Sequence, residues 1–435
     1  MDKKSLNKLF DELFPICRSI NGKGYEQSLK ILSKIVKFKI IKYASGKKVF
    51  DWVVPKEWNI TDAYVEKNKK KIIDFKKNNL HILNFSIPVN KFMDLNELNK
   101  HLYSIKKFPN YIPYVTSYYK KNWGFCLKHN ERKKLKNGKY KVVIKSKFKN
   151  GYIKNGLSKL KGRGDKIFLI SSYLCHPSMA NNELSGPLVL SGLYERLKKW
   201  KSRNLNYYFI INPETIGSIC LINSHKRILK KNLVGGFVLT CLGGPKEKIS
   251  YKKSRMSISN IDRLFEYFSK KNFCNIRDFD PLDGSDERQY CSSENNFPIG
   301  QVARTIYGQY NQYHTSADNK KFMNIDKIID SINKLEFILK INEMVFPLKR
   351  YQPNCELQLG KRGLYPNINS IYTRSSSSDY KNDNKNQLSI LNYILSYADG
   401  NHDIIDLANI SGFNIERIID VVKLCLDKKL IKKPQ

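Results

Sequence analysis

Apolar positions recur at helical spacing near both ends of the chain and collapse into short dense runs between them. Leu6, Leu9, Phe10, Leu13 and Phe14, then Leu29, Leu32, Ile35 and Val36, predict two amphipathic helices within residues 3–36. Lys37–Tyr43 is strand-like. Over about 45–155 the pattern changes to short aromatic-rich runs, such as Val49–Val54 and Tyr140–Ile144, broken by Pro, Asn and Gly. That is the signature of a β-rich insertion. From Lys166 strands and helices alternate. The strands Ile167–Ser171, Tyr207–Ile211 and Gly236–Thr240 each run into a polar or Gly-rich turn, and a helix over Pro187–Trp200 follows the first. A helix at about 258–271, a strand-like Ile299–Ile306 and a long helix at about 324–345 complete the segment. This order predicts an α/β domain with a mixed, mostly parallel sheet and helices on both faces.

Residues 371–387 are polar and linker-like. Beyond them come a helix at 388–397, a second between Asn401-His402-Asp403 and Gly412, a third at 414–427, and a short strand at Lys428–Ile431. Helix, short helix, Gly turn, helix, strand is a winged-helix pattern. The expected organisation is a main domain from 1–44 and 156–350, an inserted β-rich domain at 45–155, a linker at 351–387 and a winged helix at 388–435.

The formal net charge of +39 points first to nucleic acid or an anionic surface. The balance between the two basic residues changes that. Of 78 basic residues only 15 are Arg, the residue suited to planar phosphate recognition, and Lys is scattered along the whole length. A nucleic-acid function is not favoured. No apolar run reaches membrane-spanning length, the N-terminus lacks the apolar core of a signal peptide, and the nine cysteines are single and odd in number. A reduced, cytoplasmic protein without membrane contact is expected.

The chemistry gathers at predicted strand ends, where open α/β sheets bind their ligands. His176 and Glu183 follow the first strand, Glu214 the second, and Asp286 and His314 occupy later turns. Two histidines and one carboxylate would give zinc three protein ligands and leave a fourth position for water. Glu214 could take that water's proton. Asp286, Arg288, Tyr290 and Tyr313 are candidates to hold polar groups of a substrate. Each residue also has an ordinary structural explanation: a loop histidine, a carboxylate at a helix N-terminus, a buried hydrogen-bond network.

At these residues the chain resembles the co-catalytic zinc aminopeptidase clan, which includes the glutaminyl cyclases. The matching pieces are the His176 turn, the Asn181–Gly186 helix start, Pro213-Glu214-Thr215-Ile216-Gly217, Ser285-Asp286 and Tyr313-His314-Thr315. Over nearly its whole length the chain is similar to a bacterial aminopeptidase-like family often encoded near surface-polysaccharide genes. That likeness includes Phe50-Asp51-Trp52, Pro55-Lys56-Glu57-Trp58, Thr116-Ser117-Tyr118-Tyr119, Cys175-His176-Pro177-Ser178, Asp286-Glu287-Arg288-Gln289-Tyr290-Cys291 and the winged-helix tail.

Set against the clan's two-zinc pattern, Ser178 stands at the first Asp and Asn182 at the metal-bridging Asp. Glu214-Thr215 replaces Glu-Glu, and Thr240 or Cys241 replaces the Asp after the third strand. The resemblance therefore implies one zinc per chain, on His176, His314 and Glu183, with Asn182 as an alternative ligand and Glu214 as proton carrier. The implied activity is metal-dependent hydrolysis of an amide in a small peptide or aminoacyl compound. Two further readings stand beside it. One is cyclase-like amide chemistry without hydrolysis. The other is a binder that has lost its chemistry and uses the winged helix for DNA or protein contact, including self-association.

Overall fold

The computed structural model describes residues 1–364 and 381–433 and divides into two compact units. The first, residues 1–265 and 271–336, is built on an eight-stranded mixed sheet. Its strands, in spatial order, are Lys39–Ala44, Tyr152–Leu160, Asn206–Asn212, Ile167–Tyr173, Leu233–Leu239, Ile299–Ala303, Ser250–Lys252 and Asn275–Arg277. The four at the centre run parallel. Ile167–Tyr173 is buried at every position, as a strand covered on both faces must be. The sheet thus takes the predicted α/β form. Tyr152–Leu160 begins inside the segment expected to be insertion, yet it pairs with both Lys39–Ala44 and Asn206–Asn212.

The helix Ser185–Lys198 connects the first two parallel strands, and its close approach to the sheet depends on Gly186. A Cβ there would lie 2.2 Å from the Ser172 hydroxyl and 2.4 Å from the Leu239 carbonyl oxygen. Only glycine lets the helix start sit on the strand ends.

Within the insertion, Lys70–Asp74, Glu57–Lys67, Tyr140–Lys149 and Val89–Met93 form a four-stranded antiparallel sheet. Ala63, Val65, Trp123, Phe125, Val142 and Ile144 share its own core. The run Val49–Val54, expected as one strand, is instead a tight hairpin of Lys48–Val49 against Trp52–Val53, with Phe50 at φ 54°. The turn reverses the chain at Phe50-Asp51, so the apolar run folds back on itself.

The second unit comprises residues 266–270 and 337–435. Its helices Lys381–Tyr397, Ile404–Ser411 and Ile415–Asp427 are followed by Ile431–Lys432, which pairs with Lys349–Arg350. Asp403 and Asp406 make reciprocal caps at the second helix, and Gly412 ends it at φ 74°. The first helix starts at Lys381, inside the 351–387 stretch expected as linker; residues 365–380 of that stretch lie outside the described residues. Among the described residues no helix is long and apolar enough to cross a membrane.

Candidate metal and catalytic site

The chemistry lies at the carboxyl ends of the central parallel strands. Four turns there hold a non-glycine residue in the left-handed region: Ser178 (φ 49°), Thr215 (φ 64°), Cys241 (φ 52°) and His314 (φ 51°). Each such residue costs about 1–3 kcal/mol, and strain of this kind collects where function needs a fixed geometry. Thr215 is the clearest case. Its φ 64°, ψ −76° and the 2.8 Å bond from the Ile216 N–H to the Glu214 carbonyl define a γ-turn. The turn projects Glu214 from the end of the second strand.

Asp286 pins that turn from below. Its carboxylate accepts from the Thr215 N–H at 2.6 Å, from the Ser218 hydroxyl at 2.9 Å and from Asn212 Nδ2 at 2.8 Å. Burial, reinforced by the Glu214 charge, pushes its carboxyl up to about 7. Asp286 has no exposed surface, so its expected contact with substrate gives way to a supporting one. Arg288 points to solvent, its guanidinium 3.4 Å from the Pro281 carbonyl, and Tyr290 is sealed in the core with Leu157 and Ile210. Neither faces the site.

His176 is fixed on three sides. Glu183 accepts from its main-chain N–H at 2.9 Å with one oxygen and meets Nδ1 at 2.6 Å with the other. Arg18, wholly buried, donates from Nε to the His176 carbonyl at 3.0 Å. Glu183 therefore departs from the expected ligand set: both its oxygens are engaged by His176. A carboxylate on Nδ1 leaves Nε2 as the open edge of the ring, the arrangement found behind many metal-binding histidines.

Nε2 lies 3.6 Å from Glu214, whose other oxygen accepts from the Ser285 hydroxyl at 2.6 Å. His314 completes the pair, with ring centroids 5.2 Å apart. Tyr313 stacks on His314 at 3.9 Å, and Tyr114 from the insertion meets both imidazoles at 5.0 and 5.3 Å. The Tyr114 N–H bonds to the His314 carbonyl at 2.8 Å, so the insertion helps to hold the site.

The electrostatics separate the two histidines. For His176, burial opposes the imidazolium, but Cys175, Glu183 and their hydrogen bonds to the ring outweigh it and raise the pKa well above the usual range. For His314, burial and the neighbouring His176 charge lower it well below, leaving a neutral imidazole. Glu214 is raised, chiefly by burial and against the pull of His176 and Ser285.

At the position of the bridging carboxylate, Asn182 accepts from the Tyr173 hydroxyl at 3.3 Å, and its buried Nδ2 has no hydrogen-bond partner. Tyr173 is 2.5 Å from the Thr240 hydroxyl, and burial pushes the Cys241 thiol up to about 12. These groups are neutral, and an amide N–H without an acceptor is a poor neighbour for a cation. They do not fit a second metal ion. Donors suited to one ion lie on the other side: among the described residues, the donor atoms of Cys175, His176 and Glu214 are within 4.8 Å of one another, and His314 stands beside that set, its ring centroid 5.2 Å from that of His176.

Residues 7–344 match the family described as a domain of unknown function, DUF4910. The chain belongs to that family. Residues 347–433 match a winged helix-turn-helix family. The chain is 40% identical over 415 residues to a Clostridium acetobutylicum protein, covering 94% of this chain and 92% of that one. The relative's name, provisional in its own wording, is polysaccharide biosynthesis protein with aminopeptidase-like domain. A Clostridium acetobutylicum crystal structure, named with the same reserve as a peptidase, is 36% identical, covers 99% of this chain and 96% of its own, and has a TM-score of 0.88. A zinc aminopeptidase from Bacillus subtilis is 11% identical, covers 78% and 94%, and has a TM-score of 0.57. The last likeness shows the fold: the sheet that carries this site is that of the zinc aminopeptidases.

Sequence reasoning did not mention Arg18, and it gave Cys175, Tyr114 and Ser285 no role in the site, although Cys175 and Ser285 stand in motifs that carry the resemblance. Cys175 adjoins His176 and was within reach of the motif. Arg18 lies 158 positions from His176, Ser285 71 from Glu214 and Tyr114 62 from His176, and only folding brings them together.

Proposed function

We propose that this chain is a metal-assisted amide hydrolase with a single-ion site, acting on a small peptide or aminoacyl amide. The observation that carries the proposal is His176, locked by Glu183 on Nδ1 with its open Nε2 edge 3.6 Å from Glu214. His176 and His314 would hold one zinc ion. When bound, zinc supplies a Lewis acid that polarises the carbonyl and lowers the pKa of water. Glu183 is assigned to orienting His176, and Asn182 to the neutral cluster beside it.

Glu214 is the proton carrier. Its raised pKa brings it toward the neutral range in which a general base works best, and the Ser285 hydroxyl fixes one oxygen so that the other faces the His176 edge. It takes a proton from water as the new C–O bond forms and gives it to the nitrogen as the C–N bond breaks. The products are a carboxylic acid and an amine. Thr215 and Asp286 hold Glu214 in place through this exchange.

The winged helix is assigned to protein contact, including self-association. The exposed positions of Ile415–Asp427 are Glu416, Arg417, Asp420, Lys423 and Asp427, a mixed surface unlike the basic face that enters a DNA groove. Its apolar side, Ile415, Ile418, Ile419, Val421 and Val422, is buried.

The test is metal content by plasma mass spectrometry, on protein purified without an affinity metal, beside His176→Ala. About one zinc per chain, lost in the variant, together with release of amine from aminoacyl amides, is the expected result. Protein that neither carries nor takes up a metal ion would overturn the reading.

A further inference from the structure

A cavity of about 200 Å³ opens beside Glu214. Its walls are Ile20, Trp52, Tyr118, Tyr119 and Ile216, and its reactive end is Cys175, His176 and Glu214. Trp52 comes from the Phe50-Asp51 hairpin and packs edge-on against Tyr119 at 5.2 Å. The two tyrosines come from a second part of the insertion. Tyr119, at 54% exposed, stands where the cavity meets solvent. The insertion thus supplies the three aromatic walls, Trp52, Tyr118 and Tyr119, of a small chamber on a site whose chemistry belongs to the main domain.

Three features specify what it takes. First, size: about 200 Å³ admits one side chain of the leucine or phenylalanine class, not a peptide. Second, charge: this protein has 78 basic residues, and hollows of about 550, 680 and 400 Å³ elsewhere on the same unit each carry at least two lysines. This cavity has none, and Glu214 is its only carboxylate. An acidic group entering it would find no lysine or arginine in the lining and would meet Glu214 directly. Third, side: Glu214 lines the cavity, whereas His314, Asn182 and Cys241 do not. A proton donor must reach the nitrogen that leaves. A substituent on that nitrogen therefore falls on the Glu214 side, into this chamber.

We propose that the chamber is the subsite for the leaving amine and selects amides whose amine half carries one medium-sized, uncharged apolar group. The assignment rests on the amide-hydrolase reading of the same site. It makes the insertion a specificity element: Trp52 and Tyr119 read the amine half, while the strand-end residues carry the chemistry.

The experiment measures binding separately from turnover. Glycyl-leucinamide, leucyl-glycinamide, glycyl-glycinamide and glycyl-aspartamide are titrated calorimetrically into the full chain, with and without zinc. The same four are incubated with it, and amine release is followed by chromatography. Trp52→Ala and the half-exposed Tyr119→Ala, which removes no core contact, are tested alongside. Glycyl-leucinamide should bind about 10- to 100-fold more tightly than glycyl-glycinamide, and most of that ratio should vanish in both variants. Leucyl-glycinamide should bind like glycyl-glycinamide. A preference for leucyl-glycinamide, equal binding of the aspartyl and leucyl compounds, a ratio untouched by both variants, or no binding at all would each overturn the subsite. Selective binding without cleavage would instead remove the hydrolase reading and leave the chamber as a recognition site. Cleavage of all four at equal rates would keep the hydrolase and remove the chamber.

Discussion

Replacing Glu183 by Gln tests the centre of the site with almost no change in shape. A carboxylate only accepts hydrogen bonds. In the structure one oxygen takes the His176 main-chain N–H at 2.9 Å and the other faces Nδ1 at 2.6 Å, so Nδ1 carries a proton. Neutral His176 then keeps its lone pair on Nε2, beside Glu214. The Gln amide has one acceptor and one donor. The main-chain N–H can only donate, so it claims the amide oxygen and turns the NH₂ toward Nδ1. Nδ1 must then accept, and the ring proton moves to Nε2, which blocks metal binding there. Rotating the amide the other way sets NH₂ against N–H and leaves a buried donor unpaired, at a cost of about 1–3 kcal/mol.

Loss of such an orienting partner typically weakens a metal site 10- to 100-fold, about 1.4–2.7 kcal/mol at 1.36 kcal/mol per decade. Two assays check this: zinc competition against a chromophoric chelator, and nitrogen-15 spectra of the imidazole. The metal-free parent should show His176 protonated on Nδ1, where the Glu183 carboxylate accepts, and Glu183→Gln should show neutral His176 protonated on Nε2 instead. A variant that keeps parental zinc affinity and a protonated Nδ1 would refute the reasoning. A loss far beyond 100-fold with the tautomer unchanged would make Glu183 a ligand itself.

Other consequences are as direct. Glu287→Ala strips the partner from buried Lys252, 2.6 Å away, and should cost about 3–5 kcal/mol in urea unfolding. Asp286, with a pKa raised to about 7 in the folded state, takes up a proton there before it does in the unfolded chain. Its contribution to stability is greatest below about pH 4, falls as pH rises to about 7 and is flat above; Asp286→Asn should remove that slope from the urea midpoints. Thr215→Gly relieves the γ-turn and should raise stability by about 1 kcal/mol while lowering kcat, because Glu214 loses its fixed projection. In gel shifts, DNA binding should be weak, indifferent to sequence and lost by about 0.2 M salt; a saturable, sequence-preferring complex would show that the winged helix reads DNA.

The sequence by itself determined the framework. Periodicity located the parallel strands, because a strand buried on both faces has to be apolar throughout. It located the winged helix, because caps such as Asp403 and Gly412 are local. It placed His176, Glu214 and His314 at strand ends and, through the resemblance to the zinc aminopeptidase clan, marked Ser178, Asn182, Thr215 and Thr240 or Cys241 as neutral where that clan has carboxylates. What it left open was direction. Glu183 could reach a metal ion or its neighbouring histidine, and seven residues of spacing allow either. Only the turn that sets Glu183 against the main-chain N–H and Nδ1 of His176 decides between them. Asp286 beneath Glu214, Ser285 upon it and Trp52 beside it come from distant segments, joined by packing of the insertion and the sheet. Side-chain type is written residue by residue, but which atom faces which is decided by contacts far apart in the chain.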